Sequence, residues 1–114
     1  MLLEKGIIQD ILMAIQLTHD FLGVMSRDEF LFDQKTQSAV IHQLLIIGEA
    51  AGRLPDPYTK KHSHIPWAQI RGMRNRLIHG YHEVDLDEVW QTAQNDLSML
   101  RAKIEPLLLD DTPL

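Results

Sequence analysis

Hydrogen-bonding and acid–base side chains are concentrated in one segment of the sequence, between Arg71 and His82. On a helix, residues seven apart are nearly eclipsed and residues four apart share a face. Arg74 and Tyr81 would therefore form one row, and Asn75 and His79 the next. The arginine fork holds a phosphate through paired charge-assisted bonds, and histidine takes or gives a proton near neutral pH. This combination predicts chemistry on a phosphodiester.

An arginine and a histidine suffice to cleave RNA without a metal, because the 2′-hydroxyl is an internal nucleophile. A base would remove the hydroxyl proton and a cation would stabilise the charge on the phosphorane, so that a cyclic phosphate is left. DNA lacks this hydroxyl, and a two-metal nuclease would need several converging carboxylates. Asp56 is the only acid between Arg53 and His82. The residues therefore favour RNA as substrate and disfavour a metal-dependent nuclease.

Charge is distributed unevenly along the chain. The net charge of −5 argues against a general attraction to nucleic acid. Residues 53–82, however, hold six basic residues against one acid and carry +5, whereas the remainder carries −10. The same segment holds four of the six histidines. An acidic protein with one basic, imidazole-rich segment is consistent with a local site for an anion.

Apolar residues recur at steps of three and four along most of the chain, which is the helical period. Ser26 and Glu29 have the spacing of a capping box and predict a short connecting helix. Residues 55–65 contain two prolines and no periodicity, so they are predicted to form a loop. The long predicted helices are one over 3–24, a second from Gln34 to Leu54-Pro55, a third from Pro66 to Gly80, and a fourth from Leu86 to Leu107 or Leu108.

These elements predict an all-α fold. The 114 residues suit a single domain over 1–114, built as an antiparallel bundle of four main helices plus the short connecting helix. The sequence has no cysteine, and it has no apolar run approaching the ~20 residues of a membrane span. Glu4 and Lys5 interrupt the start where a signal peptide needs apolar residues. A cytoplasmic protein without a membrane partner is expected.

The sequence resembles the HEPN ribonucleases, and specifically the HepT-like toxins. Arg74 is followed after four residues by His79, and Tyr81 comes two residues later, which is similar to the signature of that family. The resemblance extends over essentially the whole chain. The segments that carry it are Ile47-Gly48-Glu49-Ala50, Pro66-Trp67, Ile70-Arg71-Gly72-Met73-Arg74-Asn75, His79-Gly80-Tyr81 and Val84-Asp85.

The resemblance implies a homodimer in which two motifs face each other across a cleft and cleave RNA without a metal or any other cofactor. It implies that Arg74 and His79 are catalytic and that Asn75 supports them. It further implies a partner, a minimal nucleotidyltransferase antitoxin, that transfers AMP to Tyr81 and silences the toxin. Such a pair is a type VII-like toxin–antitoxin system, with tRNA or mRNA as target. Candidates for contacts with the RNA backbone are Lys60, Lys61, Arg71 and Arg76.

Other interpretations of the same residues stay open. Arg74 could form an ion pair with Glu49, which would support the site by holding the guanidinium in place. His79 could cap the third helix, because a cation complements its C-terminal dipole. A zinc site made of histidines is disfavoured because their spacing does not place them on one helix face; its members would be His62, His64, His79 and His82.

Two further alternatives concern the aromatic residues and the function as a whole. Trp67 and Trp90 are expected to pack in the core or at a dimer contact rather than to stack on bases. The alternative function is that of a non-catalytic module, a substrate-binding or partner subunit of a nucleotidyltransferase. Metal-free RNA cleavage by the purified dimer distinguishes this module from a ribonuclease.

Overall fold

A computed structural model describes residues 2–77 and 83–109, and every regular element of two or more residues in these ranges is helical. The expectation of an all-helical chain is therefore confirmed for this part of the protein. No helix in these ranges is both long and apolar enough to cross a membrane. The elements are α1 (Leu2–Leu22), α2 (Arg27–Leu31), α3 (Gln34–Gly52), α4 (Asp56–Lys61), α5 (Trp67–Arg71), α6 (Met73–Leu77), α7 (Leu86–Gln91), a π-helical turn (Thr92–Asp96), α8 (Leu97–Ile104) and a 3-10 turn (Glu105–Leu109).

The long helices α1 and α3 form the centre of the core. They run antiparallel, because Asp10 in the first half of α1 forms an ion pair with Arg53 at the end of α3, at 3.4 Å. The two helices bury several large aliphatic side chains against each other and the rest of the core. Burial of one such side chain contributes roughly 1.5–3 kcal/mol to the free energy of folding, so this helix pair is a main source of stability. Their fully buried side chains include Ile8, Ile11, Ile15, Val40, Leu44 and Ile47.

The connection between α1 and α3 follows the local signals in the sequence. Gly23, at a φ of 52°, ends α1 in the left-handed conformation that favours glycine. The Glu29 amide donates to Ser26 Oγ at 3.2 Å, and the Ser26 amide donates to Glu29 Oε1 at 3.1 Å. The predicted capping box and short helix are thus confirmed as the start of α2. Asp33 caps α3 by accepting a hydrogen bond from the Thr36 amide.

The last helical segment runs from Leu86 to Leu109, which confirms the position of the fourth predicted helix. It is less regular than the periodicity suggests, because the Leu97 amide donates to the Thr92 carbonyl five residues back and so forms a π-turn. This segment packs on α1, where Arg101 donates to the Gln16 amide oxygen at 3.0 Å.

Three predictions about the middle of the chain were wrong. Residues 55–65 are not all loop, because 56–61 form α4. Proline is tolerated in a first helical turn, where no amide donor is needed, so Pro57 does not prevent this helix. The third predicted helix is two short ones, since it breaks at Gly72. Pro66 precedes α5 as its N-cap instead of occupying the first helical position.

His19 lies where the π-turn meets α1. Partial burial lowers the pKa of His19 below its usual value of 6.5, and the charge of Arg101 acts in the same direction. A hydrogen bond with the Ala93 backbone and the nearby Asp20 carboxylate oppose the shift. The unfolded chain therefore binds a proton on His19 at a higher pH than the folded chain does.

This difference predicts a loss of stability as pH falls through and below 6.5, because protonation then favours the unfolded state. Urea unfolding of the His19→Gln variant at pH 7.5 and pH 5.5 should show a smaller loss than the wild-type chain shows. His42→Gln, at an exposed histidine of α3, is the matched control and should keep the wild-type loss. An equal loss in all three proteins would contradict the assignment to His19.

Candidate active site

The short helices α5 and α6 hold the basic part of the motif. Gly72 joins them: its amide donates to the carbonyl of Ala68, the second residue of α5, and its carbonyl accepts from the Arg76 amide in α6. A Cβ at this position would lie 3.3 Å from the Ala68 carbonyl oxygen. The missing side chain of Gly72 therefore avoids a tight contact with the preceding turn at this junction.

Helix α6 has one buried face and one exposed face. Met73 and Leu77 are four residues apart and both buried, which fixes the orientation of this single-turn helix against the core. Arg74, Asn75 and Arg76 lie between them and are all exposed. Arg74 therefore faces solvent.

The packing of α5 against α3 depends on Gly48. A Cβ on Gly48 would lie 3.2 Å from the carbonyl oxygen of Ile70, so the missing side chain lets the two helices approach closely. Glu49 follows directly and is exposed. Within 2–77 and 83–109, no ion pair joins Glu49 to Arg74. The interpretation of Glu49 as a holder of the Arg74 guanidinium therefore has no contact to support it.

The guanidinium of Arg71 binds the end of α3. Its Nε donates to the Ala51 carbonyl at 3.3 Å, and a terminal nitrogen donates to the Leu54 carbonyl at 3.5 Å. The last carbonyls of a helix lack intrahelical partners, and an arginine satisfies them well. Arg71 thus joins α5 to α3, and its contact with RNA stays a prediction.

The other candidate RNA contacts lie on two different helices. A terminal nitrogen of Arg76 donates to Thr92 Oγ1 at 3.4 Å, which connects α6 to the π-turn. Lys60 and Lys61 are exposed in the last turn of α4. The structure thus spreads the four candidate cations over α4, α5 and α6 instead of gathering them at one point.

His79 and Tyr81 lie outside the described residues, so their predicted roles stay predictions. The residues on either side of their segment are well anchored. Leu77 is buried, and its carbonyl accepts a hydrogen bond from the Asp85 amide at 2.8 Å. The Asp85 side chain in turn caps α7 by accepting from the Glu88 amide at 3.1 Å. The segment therefore leaves α6 and rejoins α7 at two points that are hydrogen-bonded to each other.

The histidines before α5 pack with aromatic neighbours. The buried His62 ring lies 4.7 Å from the Tyr58 ring and 6.2 Å from the His64 ring, measured between ring centres. Trp67 is also buried and donates to the His62 carbonyl at 3.0 Å. In the described ranges, no group of three or more histidines and acids could hold a metal ion. His82, named for the zinc alternative, lies outside those ranges.

Trp67 and Trp90 both serve in packing, as expected. Trp67 is buried in the core, and Trp90 is half-buried with its ring centre 5.5 Å from that of Phe30. Neither tryptophan is free to act as an exposed stacking platform for a base.

A cavity beside α6 has no signal in the sequence. It measures about 340 Å³ and lies between α5–α6 on one side and the π-turn with α8 on the other. Its walls come from two segments, residues 66–76 and 92–103, that are distant in sequence, so no local pattern could have predicted it. Among the described residues, Arg76 is the only candidate site residue that lines it.

The chain resembles ribonucleases along most of its length. The family model described as "Ribonuclease HepT-like" matches residues 11–107. A Thermococcus cleftensis protein named "Probable ribonuclease HepT" is 41% identical over 104 residues, covering 91% of this chain and 94% of that protein. A Methanocaldococcus jannaschii protein named "Putative RNase MJ0127" is 35% identical over 106 residues, covering 93% and 88%. No solved structure matches the chain.

The all-helical fold, the exposed Arg74 and this match together define the class of protein. The chain belongs to the HepT-like ribonuclease family. The resemblance identified from the motif residues is thereby confirmed.

The close approach at Gly48 gives a test of how the site is positioned. Gly48→Ala should be less stable to urea than Gly52→Ala by roughly 1–2 kcal/mol, because alanine favours a helix at both positions but meets a backbone carbonyl only at Gly48. Gly52 lies in the same helix, and a Cβ there would meet only open space. Equal stability of the two variants would show that α5 can move away from α3 without cost.

Proposed function

We infer that this chain is a metal-independent endoribonuclease that acts as the toxin of a type VII-like toxin–antitoxin pair in the cytoplasm. The observation that carries the proposal is the exposure of Arg74 on a helix held to the core by Met73 and Leu77. Among the described residues, no hydrogen bond or ion pair occupies its guanidinium. An arginine so placed is available to a phosphate from solvent.

The proposed reaction uses the 2′-oxygen of RNA as nucleophile. This oxygen bonds to the adjacent phosphorus as its proton moves to a base, and the bond from phosphorus to the 5′-oxygen breaks as that oxygen takes a proton from an acid. The products are a 2′,3′-cyclic phosphate and a 5′-hydroxyl. Arg74 stabilises the extra negative charge on the phosphorane, and His79 transfers the protons.

A homodimer supplies the second proton-transfer group. One chain offers one histidine in the motif, whereas base and acid roles on opposite sides of the phosphorus need two groups. Two-fold symmetry brings two copies of the motif to one cleft and doubles its local positive charge. The acidic remainder of each chain makes this local concentration of cations important for holding RNA.

The catalytic assignment predicts that Arg74→Ala and His79→Ala each lower RNA cleavage by at least about 100-fold, the usual contribution of acid–base catalysis. Activity is measured on purified protein with a metal chelator present, and unfolding in urea should be unchanged for Arg74→Ala because the side chain is exposed. Arg53→Ala removes another exposed arginine of the basic segment, and it should cleave at the wild-type rate.

Sedimentation of the same samples should show a dimer. A 13.1 kDa monomer with and without RNA, or full activity of His79→Ala, would contradict the mechanism. A wild-type dimer that binds the nucleotidyltransferase but cleaves no RNA would instead support the non-catalytic partner subunit.

We propose Tyr81 as the residue that the antitoxin modifies with AMP. The chain has two tyrosines, and the other, Tyr58, is buried against His62 and poorly accessible to an enzyme. AMP on Tyr81 would add a phosphodiester anion near the Arg74 helix, where it would repel incoming RNA phosphates.

Incubation with a minimal nucleotidyltransferase, ATP and magnesium should add one or more AMP masses to the peptide that contains Tyr81 and should slow RNA cleavage. Tyr81→Phe should stay unmodified and active, whereas Tyr58→Phe should be modified like the wild type. Label on the Tyr58 peptide alone, or full activity of the modified protein, would refute the regulatory role and leave the nuclease assignment intact.

A further inference from the structure

The cavity between α5–α6 and the π-turn with α8 has an apolar floor and a charged rim. Ile70, Met73 and Leu97 line it and are buried. Arg76 and Lys103 also line it and are exposed, as are Gln69, Asp96 and Met99. Small-molecule sites combine an apolar interior with a few polar groups in the same way, and their volumes begin at about 300 Å³. The volume of about 340 Å³ suits a single nucleobase with part of its sugar.

The cavity adjoins the helix that carries the proposed catalytic arginine. At 100° per residue, Arg74 and Arg76 lie on opposite flanks of α6, with Asn75 on the exposed crest between them. An RNA strand held at Arg74 that crosses α6 reaches the cavity after roughly one helix diameter, about 10 Å. A base of that RNA strand that enters the cavity would therefore be close in sequence to the cleaved bond.

The groups at the rim match the chemistry of one unpaired nucleotide. Arg76 uses one nitrogen on Thr92 and keeps further donors for a phosphate, and Lys103 adds a second cation. Asp96 offers carboxylate oxygens, which accept hydrogen bonds from the amino group of a base such as cytosine. RNA is usually recognised in this way, through unstacked bases read on their edges.

The π-turn supplies part of this rim. Thr92 and Asp96 are its first and last residues, and both line the cavity. Single π-turns inside helices occur frequently at functional sites. The π-turn between α7 and α8 therefore lies in the wall of the cavity that carries the Asp96 carboxylate.

We propose that this cavity binds one nucleotide of the RNA substrate and selects a base that carries an amino group, with Asp96 as the determinant of that choice. The proposal rests on the proposed ribonuclease function, but binding of a mononucleotide tests it without cleavage. Cytidine and uridine 3′-monophosphates are matched probes, because they differ only on one edge of the ring, where cytosine has an amino group at C4 and uracil has a carbonyl there and a proton on the adjacent N3.

Nuclear magnetic resonance titration of the full chain measures both affinities. The wild-type chain should bind the cytidine nucleotide at least roughly 5-fold more tightly, a difference of about 1 kcal/mol. Asp96→Asn should bind both nucleotides equally, since an amide both donates and accepts. Lys103→Ala should weaken both by a similar factor. Asp28→Asn changes an exposed aspartate of α2 outside the cavity, and it should keep the wild-type preference.

Several results would overturn the proposal: no binding of either probe, equal affinities in the wild type, or an unchanged preference in Asp96→Asn. Resonance shifts at Met73 and Leu97 that follow protein concentration instead of nucleotide would assign the cavity to a second copy of the chain, and would also overturn it.

Mapping of cleavage sites on an RNA of mixed sequence separates this proposal from the proposed function. A wild type that binds cytidine nucleotide as expected and cleaves no RNA refutes the nuclease and keeps the nucleotide site. If the wild type and Asp96→Asn cleave RNA at the same positions, the role of Asp96 in selecting the base is refuted and the nuclease assignment is kept.

Discussion

The position of the site depends on the close approach of α5 to α3 at Gly48. The Ile70 carbonyl lies where a Cβ of any other residue would be in tight contact, so α5 is closer to α3 than side-chain packing would allow. Arg71 holds the same interface through the Ala51 carbonyl at the end of α3 and the Leu54 carbonyl just beyond it. Together, one missing side chain and one arginine fix where the chain enters α6.

Helix α6 could not stay folded without this support. Forming the first turn of a helix is unfavourable, and a single turn adds few further hydrogen bonds to offset that. Burial of Met73 and Leu77 must therefore stabilise α6. Their burial leaves the three polar residues between them facing solvent. The hydrogen bond between the Asp85 amide and the Leu77 carbonyl then joins the end of α6 to the start of α7. A catalytic group benefits from such a rigid frame, because small displacements greatly reduce rates.

The distribution of roles among the basic residues follows from this frame. Arg71 and Arg76 contact other elements, with α3 and the π-turn as their respective partners. Arg74 is on the same short segment, yet the described residues give it no such contact. The three arginines thus differ in their availability to a ligand. Arg71 and Arg76 connect one helical element to another, whereas Arg74 is exposed to solvent.

The sequence by itself determined the long helices α1 and α3, the last helical segment and the start of α2, because periodicity and caps such as Ser26 with Glu29 act over a few residues. It also determined the family, since the motif from Arg74 to Tyr81 is read directly from the chain. Tertiary structure decided the break at Gly72, the formation of α4, the contact of Arg71 with α3 and the cavity beside Arg76. The last three depend on atoms that are distant in sequence: burial stabilises short helices with weak local signals, and a guanidinium binds the carbonyls that the packing brings within reach.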